Sequence, residues 1–327
     1  MITKFSGEFL FHPIPLEMSM NACSYGCVYC FANLRNSNRL FKAKEFANQI
    51  KKLYNGKSFE AQKLREGYPV VLSNLTDPFS DNNLLNTEAV LAQLNARNIP
   101  VFFQTKTNKK MFEIISEVKP SVFYVTITAY VDSVSKIIEP YAPTTSERID
   151  YIKRLISRGH SVMIGINPLA KEWISVGQLK QLIEMFKSIG VSGFVFQKLN
   201  INKRNIGILN KRDFAGLNYS DYFNRGGGDY FQISAITYAK DGGIAFGQPI
   251  QSNGWDSIKK IYKTIPTMQD FVNYIVNKYK NEKAEITFDE FYNFNSELTK
   301  FFNTNHKLDA YVVSVSRNAW RNNPQNQ

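Results

Sequence analysis

Cys23, Cys27 and Cys30 fall within the run "NACSYGCVYCFAN" at 21–33, and they are the only cysteines in 327 residues. Three thiols packed so closely narrow the chemistry. A disulfide would leave one thiol over, and secreted proteins pair and scatter their cysteines. A tetrahedral zinc site needs a fourth ligand; His12 is the nearest candidate, although the paired-knuckle spacing usual for zinc is absent. A [4Fe–4S] cubane takes one thiolate per iron, so three cysteines leave one iron with open coordination sites. A small molecule with an amine and a carboxylate can chelate that iron, as the methionine end of S-adenosylmethionine does. An electron from the cluster can then cleave the sulfonium and release a 5′-deoxyadenosyl radical, a reaction that such cofactors bring to proteins. Gly26 lets the backbone pass close to a cluster.

The chain needs a scaffold that presents this loop, and the sequence alternates strand and helix patterns. Apolar, β-branched runs occur at 14–20, 68–74, 100–107, 121–130, 160–169 and 191–199. Between them, 42–55, 86–98, 109–118, 144–159 and 176–190 carry helical spacing. The helix at 144–159 starts on threonines and stops at Gly159, as capping favours. About six βα units over some 200 residues predict a parallel sheet, its strands buried on both faces and therefore nearly continuous in apolar character. Six units suit an open, partial barrel better than a closed eight-stranded one, while a doubly wound sheet would alternate in the same way.

The remainder, 201–327, changes style and is expected to form a second, α+β unit that caps the barrel mouth. "YFQISAITYAKDGGIAFGQPI" reads as a hairpin around Asp241-Gly242-Gly243. Two helical stretches follow, one opening on a Thr287/Glu290 capping pattern, then a strand in "LDAYVVSVS". The run "GGGDYFQ" at 226–232 could serve as a lid hinge or as a plain turn.

Composition bounds the partners. Apolar residues at 43% and charged residues at 21% match a globular chain in water. No apolar run approaches the roughly 18 residues of a membrane helix. The opening "MITKFSGEFLFHPIP" breaks its apolar patch with His12 and two prolines and makes a poor signal peptide, so a cytoplasmic location is expected. The net charge of +12 fits a polyanionic substrate, an acidic protein partner or solvated surface. Its densest segment, "KLNINKRNIGILNKR", holds Lys198, Lys203, Arg204, Lys211 and Arg212 without an acid, which makes these the candidate substrate-binding residues for a nucleic acid.

Cys-x3-Cys-x2-Cys with an aromatic before the last cysteine, just after a first strand, resembles the signature of the radical SAM superfamily. "CSYGCVYCFA", "TDPF" at 76–79, "TKT" at 105–107 and "EPYAPTTSERIDYIKRLISRG" at 139–159 are together similar to its spore photoproduct lyase-like branch, the DNA repair photolyase type. The likeness covers residues 10–200. It implies a partial (β/α)6 radical SAM barrel, a [4Fe–4S] cluster on Cys23, Cys27 and Cys30, and S-adenosylmethionine as cofactor.

The resemblance also implies roles for single residues. Tyr29 would sit near the adenine. Asn74, Thr76 and Asp77 lie where this superfamily binds the methionine amine, Thr76 leading and Asp77 fixing the loop. Lys106 would face the methionine carboxylate, Thr126 and Thr128 end the fourth strand, and Glu139 could reach the ribose. Arg148 reads as a structural partner. Active sites of parallel barrels form at strand C-termini, which is where these residues cluster. One departure stands out. Spore photoproduct lyases carry a further cysteine just after the second strand, where this chain has Asn74, and no spare thiol exists to donate hydrogen.

Three functions follow. One is a radical SAM enzyme acting on a nucleic acid or nucleotide. Another is the same catalyst on a peptide or small metabolite, with the positive charge serving a flavodoxin- or ferredoxin-type electron donor. The last is a non-enzymatic iron–sulfur or zinc module that binds nucleic acid.

Overall fold

The computed structural model describes residues 2–4, 16–30, 41–73, 75–196 and 261. Strands β1 (Ile2–Lys4), β2 (Leu16–Met18), β3 (Val70–Leu72), β4 (Val101–Thr105), β5 (Val122–Thr126), β6 (Ser161–Ile166) and β7 (Gly193–Phe196) form one sheet in chain order. β2 to β7 are all parallel, and β1 adds an antiparallel edge against β2. Sequential order separates this sheet from a doubly wound one, whose order reverses at a switch point. The result is an open, partial (β/α)6 barrel. His12, Asn74, residues 198–212, the 226–232 run, and the proposed boundary and C-terminal unit lie outside the described residues.

The crossovers contain α1 (Ala43–Tyr54), α2 (Phe59–Arg65), α3 (Leu84–Asn95), α4 (Met111–Ile114), α5 (Asp132–Ile138), α6 (Thr145–Ser157) and α7 (Val176–Ser188). The local signals are the expected ones. Thr144 and Glu147 close a reciprocal capping box on α6, and Ser175 with Gln178 does the same on α7. Three elements went unread in the sequence: β1, α2 and α5. Each is short, and a three-residue strand or two-turn helix carries too few periods to stand out.

Residues of one parity, among them Met18, Leu72, Phe103, Val125 and Ile164, join a single apolar core with Phe46, Leu91, Leu155 and Phe186 of the helices. The opposite parity forms the inner face, and its character differs from the expectation. Glu17 aligns with Val71, then Phe102; Gln104 aligns with Tyr124, and Thr126 with Gly165. Polar side chains therefore interrupt runs that read as apolar. The outer face must be dry because it carries the helices, whereas the inner face of an open barrel need not be.

Gly165 is required by Tyr124. A Cβ at that position would lie 2.1 Å from the phenol oxygen, and Tyr124 is fully buried. Gly165→Ala should cost about 1–3 kcal/mol by urea denaturation, and much less in a Tyr124→Leu background; equal costs in both backgrounds would contradict this packing.

The start of β5 is held by His160, whose Nδ1 accepts the Ser121 N–H at 3.2 Å. Burial, aided by Arg158, lowers its pKa from 6.5 to about 4, so the unfolded chain takes up the proton first. Stability should hold above pH 6.5 and fall as pH drops toward 4. His160→Gln should remove that part of the decline, and superimposable curves for the two proteins would count against it.

Candidate metal centre

The cysteine loop leaves the C-terminal end of β2 and is pinned along its length by polar contacts. At its start, Asn21 exchanges hydrogen bonds with the Phe41 backbone at 2.8 and 3.0 Å, and Asn83 donates to the Asn21 carbonyl at 2.9 Å. Tyr25 is buried, its hydroxyl 2.5 Å from the Thr107 carbonyl and 3.0 Å from that of Phe79. One side chain thus ties the loop to the segments after β3 and β4. The wall after α5 supplies two more bonds, Val28 N–H to the Ile138 carbonyl and Tyr141 N–H to the Tyr25 carbonyl. Gly26 turns with φ of +62°, and a Cβ there would come within 3.0 Å of the Tyr141 ring. Both reasons favour glycine.

Cys23 and Cys30 are half-buried and Cys27 is buried, and all three are free thiols. The Tyr25 N–H points at the Cys23 sulfur at 3.4 Å, and the Cys30 N–H closes a turn onto the Cys27 carbonyl at 3.1 Å. Burial, with help from Asp77, pushes Cys23 up to about 11, while Lys106 opposes the rise. Burial also pushes Cys27 up, again against the charge of Lys106. Metal binding would displace these protons.

Asp77 is the anchor of the loop after β3. Its carboxylate accepts from the Phe79 N–H at 2.9 Å, the Thr105 hydroxyl at 2.9 Å and the Lys106 N–H at 2.6 Å. Burial raises its pKa in spite of those donors. Thr76, half-buried, pairs its hydroxyl with Ser73 at 2.8 Å.

Behind the cysteines lies a buried charge network. Glu139 and Arg148 both have side-chain exposure of 0% and are joined through Glu139 Oε2. The Tyr29 hydroxyl donates to Glu139 Oε1. The Lys106 ammonium stands 3.9 Å from the same oxygen and 5.7 Å from the centre of the Tyr29 ring. Trp173 packs against Tyr29, ring centres 5.4 Å apart. Arg148 also donates to the Thr126 carbonyl at 3.0 Å, which locks the end of β5. Burial alone would raise the Glu139 carboxyl, but Arg148 and Lys106 outweigh it and hold it below the usual range. Burial works against the Lys106 cation, and Cys27 with Glu139 more than restores it.

The structure thus brings Cys23, Cys27, Cys30, Tyr29, Thr76, Asp77, Lys106, Thr126, Thr128 and Glu139 to one mouth. Glu139 is a buried counter-ion with both oxygens engaged, one by Tyr29 and Lys106 and the other by Arg148. The Tyr29 hydroxyl is committed to Glu139, which leaves its ring for packing. The sequence reading missed Tyr25 and Trp173, and it named Arg148 without its carboxylate. A tyrosine between two cysteines was the available signal for Tyr25; nothing local marks Trp173.

The donor set fits an iron–sulfur cluster. Among the described residues no three His, Cys, Asp or Glu side chains converge on a single metal ion. A cubane makes a different demand, since each thiolate binds its own iron. At the same mouth the buried Thr128 hydroxyl has no hydrogen-bond partner among the described residues, as expected of a group awaiting a polar ligand.

No protein-family model matches the chain, and no curated protein does. Solved structures give weak likenesses. SuiB of Streptococcus suis bound to S-adenosylmethionine aligns at 15% identity over 64% of this chain and 44% of SuiB, TM-score 0.40. SuiB bound to the precursor peptide SuiA aligns at 13% identity over 72% and 47%, TM-score 0.46. The matched part spans less than half of the SuiB chain. TM-scores this low leave the functional reading to the residues of the site itself.

The buried network yields a stability test. Arg148→Met removes the main partner of Glu139 and should cost about 3–5 kcal/mol in chemical denaturation. Adding Glu139→Gln should recover part of that cost, because no buried carboxylate is then stranded. Additive losses would contradict the pairing.

Proposed function

We propose that the chain is a radical S-adenosylmethionine enzyme whose [4Fe–4S] cluster is held by Cys23, Cys27 and Cys30. One observation carries this reading: all three thiols of the chain lie in one loop pinned at the C-terminal mouth of six parallel strands. When bound, the cluster supplies the electron that cleaves the sulfonium of the open-iron ligand to a 5′-deoxyadenosyl radical. The residues of the chain bind and orient that ligand. Lys106 offers a cation for the methionine carboxylate. Thr76 and Asn74 would receive the amine, as the resemblance implies, and Asp77 would order the Thr76 segment. Thr126 and Thr128 line the β5 end, and Tyr29 gives a packed ring. No helix of the described residues is long and apolar enough to cross a membrane.

The substrate proposed is a nucleic acid or nucleotide, supported by the spore photoproduct lyase-like motifs, the net charge of +12 and the acid-free 198–212 run. An acidic flavodoxin- or ferredoxin-type protein would deliver the electron. Dimer cleavage relying on a second thiol is not part of the proposal, because the chain has none to spare.

Anaerobic reconstitution should load about four irons per chain, and reduction with S-adenosylmethionine should yield 5′-deoxyadenosine. Cys27→Ala should lose both. Tightly held zinc in place of iron would sink the reading. For the substrate, affinity for a single-stranded oligonucleotide should fall with salt by roughly 0.7 log units per phosphate neutralised for each log unit of salt. Reversing the charge of Lys203, Arg204, Lys211 and Arg212 should flatten that slope; an unchanged slope would favour a peptide or small metabolite.

A further inference from the structure

We propose that Lys106 and Glu139 together set the reduction potential of the cluster, Lys106 drawing it upward and Glu139 downward. The inference rests on the reading that the three cysteines hold an iron–sulfur cluster. It goes further by giving these two residues an electrostatic role that operates before any ligand is bound.

The potential of such a cluster responds to nearby net charge, to hydrogen bonds on its sulfurs and to exposure. Reduction adds one negative charge, so a fixed cation favours the reduced state and a fixed anion the oxidised one. Water would screen both effects, and both side chains are largely withdrawn from it. The Lys106 side chain is 18% exposed and that of Glu139 0%.

Both charges are also fixed in place. The Lys106 N–H is tied to Asp77 Oδ2 at 2.6 Å, and its ammonium is held 3.9 Å from Glu139 Oε1. That ammonium faces the ring of Tyr29, which stands between Cys27 and Cys30 in the chain. Glu139 is fastened to the same loop twice, through the Tyr29 hydroxyl and through the Val28 N–H on the carbonyl of the preceding Ile138. Arg148 binds the other oxygen of Glu139 and donates to the Thr126 carbonyl, whereas Lys106 lies near the oxygen that accepts from Tyr29.

A merely structural pair would behave differently from a pair of opposed charges. Removing either member of a structural pair loosens the loop and moves the cluster in one common direction. Removing opposed charges moves the potential in opposite directions.

The test is a redox titration of the reconstituted full-length protein, followed by EPR without S-adenosylmethionine. Lys106→Met should shift the midpoint to more negative values, Lys106→Arg should stay near wild type, and Glu139→Gln should shift it to more positive values. Midpoints that coincide with wild type, or that move the same way in Lys106→Met and Glu139→Gln, would overturn the proposal. Should Glu139→Gln fail to fold, the contrast between the Met and Arg variants at Lys106 decides alone. A wild-type chain that takes up no cluster overturns the functional reading itself, and this inference with it.

Discussion

A carboxylate with no exposure must be neutralised where it sits, and Glu139 is neutralised by groups from three separate parts of the chain. Arg148 comes from α6, Lys106 from the end of β4, and Tyr29 from the cysteine loop. Taking such a charge out of water carries a penalty of several kcal/mol, offset only when its partners are placed well. The interaction therefore constrains more than its own geometry. If the loop, the end of β4 or α6 moved independently, the carboxylate would be left short of a donor. The position of the cysteines is in this sense coupled to the position of the barrel wall.

Other polar clamps act in the same layer. Tyr25 joins the cysteine loop to the segments after β3 and β4, Asp77 joins the segment after β3 to the start of the segment after β4, and Asn21 and Asn83 tie the loop to the residues that lead into α1 and α3. All of these lie at strand C-termini, where a parallel barrel leaves backbone groups for its loops to satisfy. Hydrophobic packing of the helices builds the barrel, and hydrogen bonding at its mouth sets the shape of the site.

Much of this was legible in the sequence because it is local. Six β-branched runs gave the parallel strands, and the Thr144/Glu147 and Ser175/Gln178 pairs gave two helix starts. The spacing of Cys23, Cys27 and Cys30 identified the loop without any structure. What the sequence did not show depends on distance in space. The Glu139 motif says nothing of Arg148 folding back onto it from nine residues later. Tyr124 looked like a strand-forming aromatic because its passage over Gly165 requires the register of β5 on β6. Trp173, packed on Tyr29, sits in a segment with no motif.

The central claim is that one iron of a cubane lacks a protein sulfur and takes the amino-acid end of a small cofactor instead. ENDOR on the reduced, reconstituted chain, using S-adenosylmethionine labelled with nitrogen-15 in its amine, addresses that contact directly. A nitrogen-15 coupling to the cluster that gives way to a nitrogen-14 coupling when the unlabelled compound is used is the expected result. A cluster spectrum indifferent to the added sulfonium compound, with no coupling from its amine, would contradict the claim.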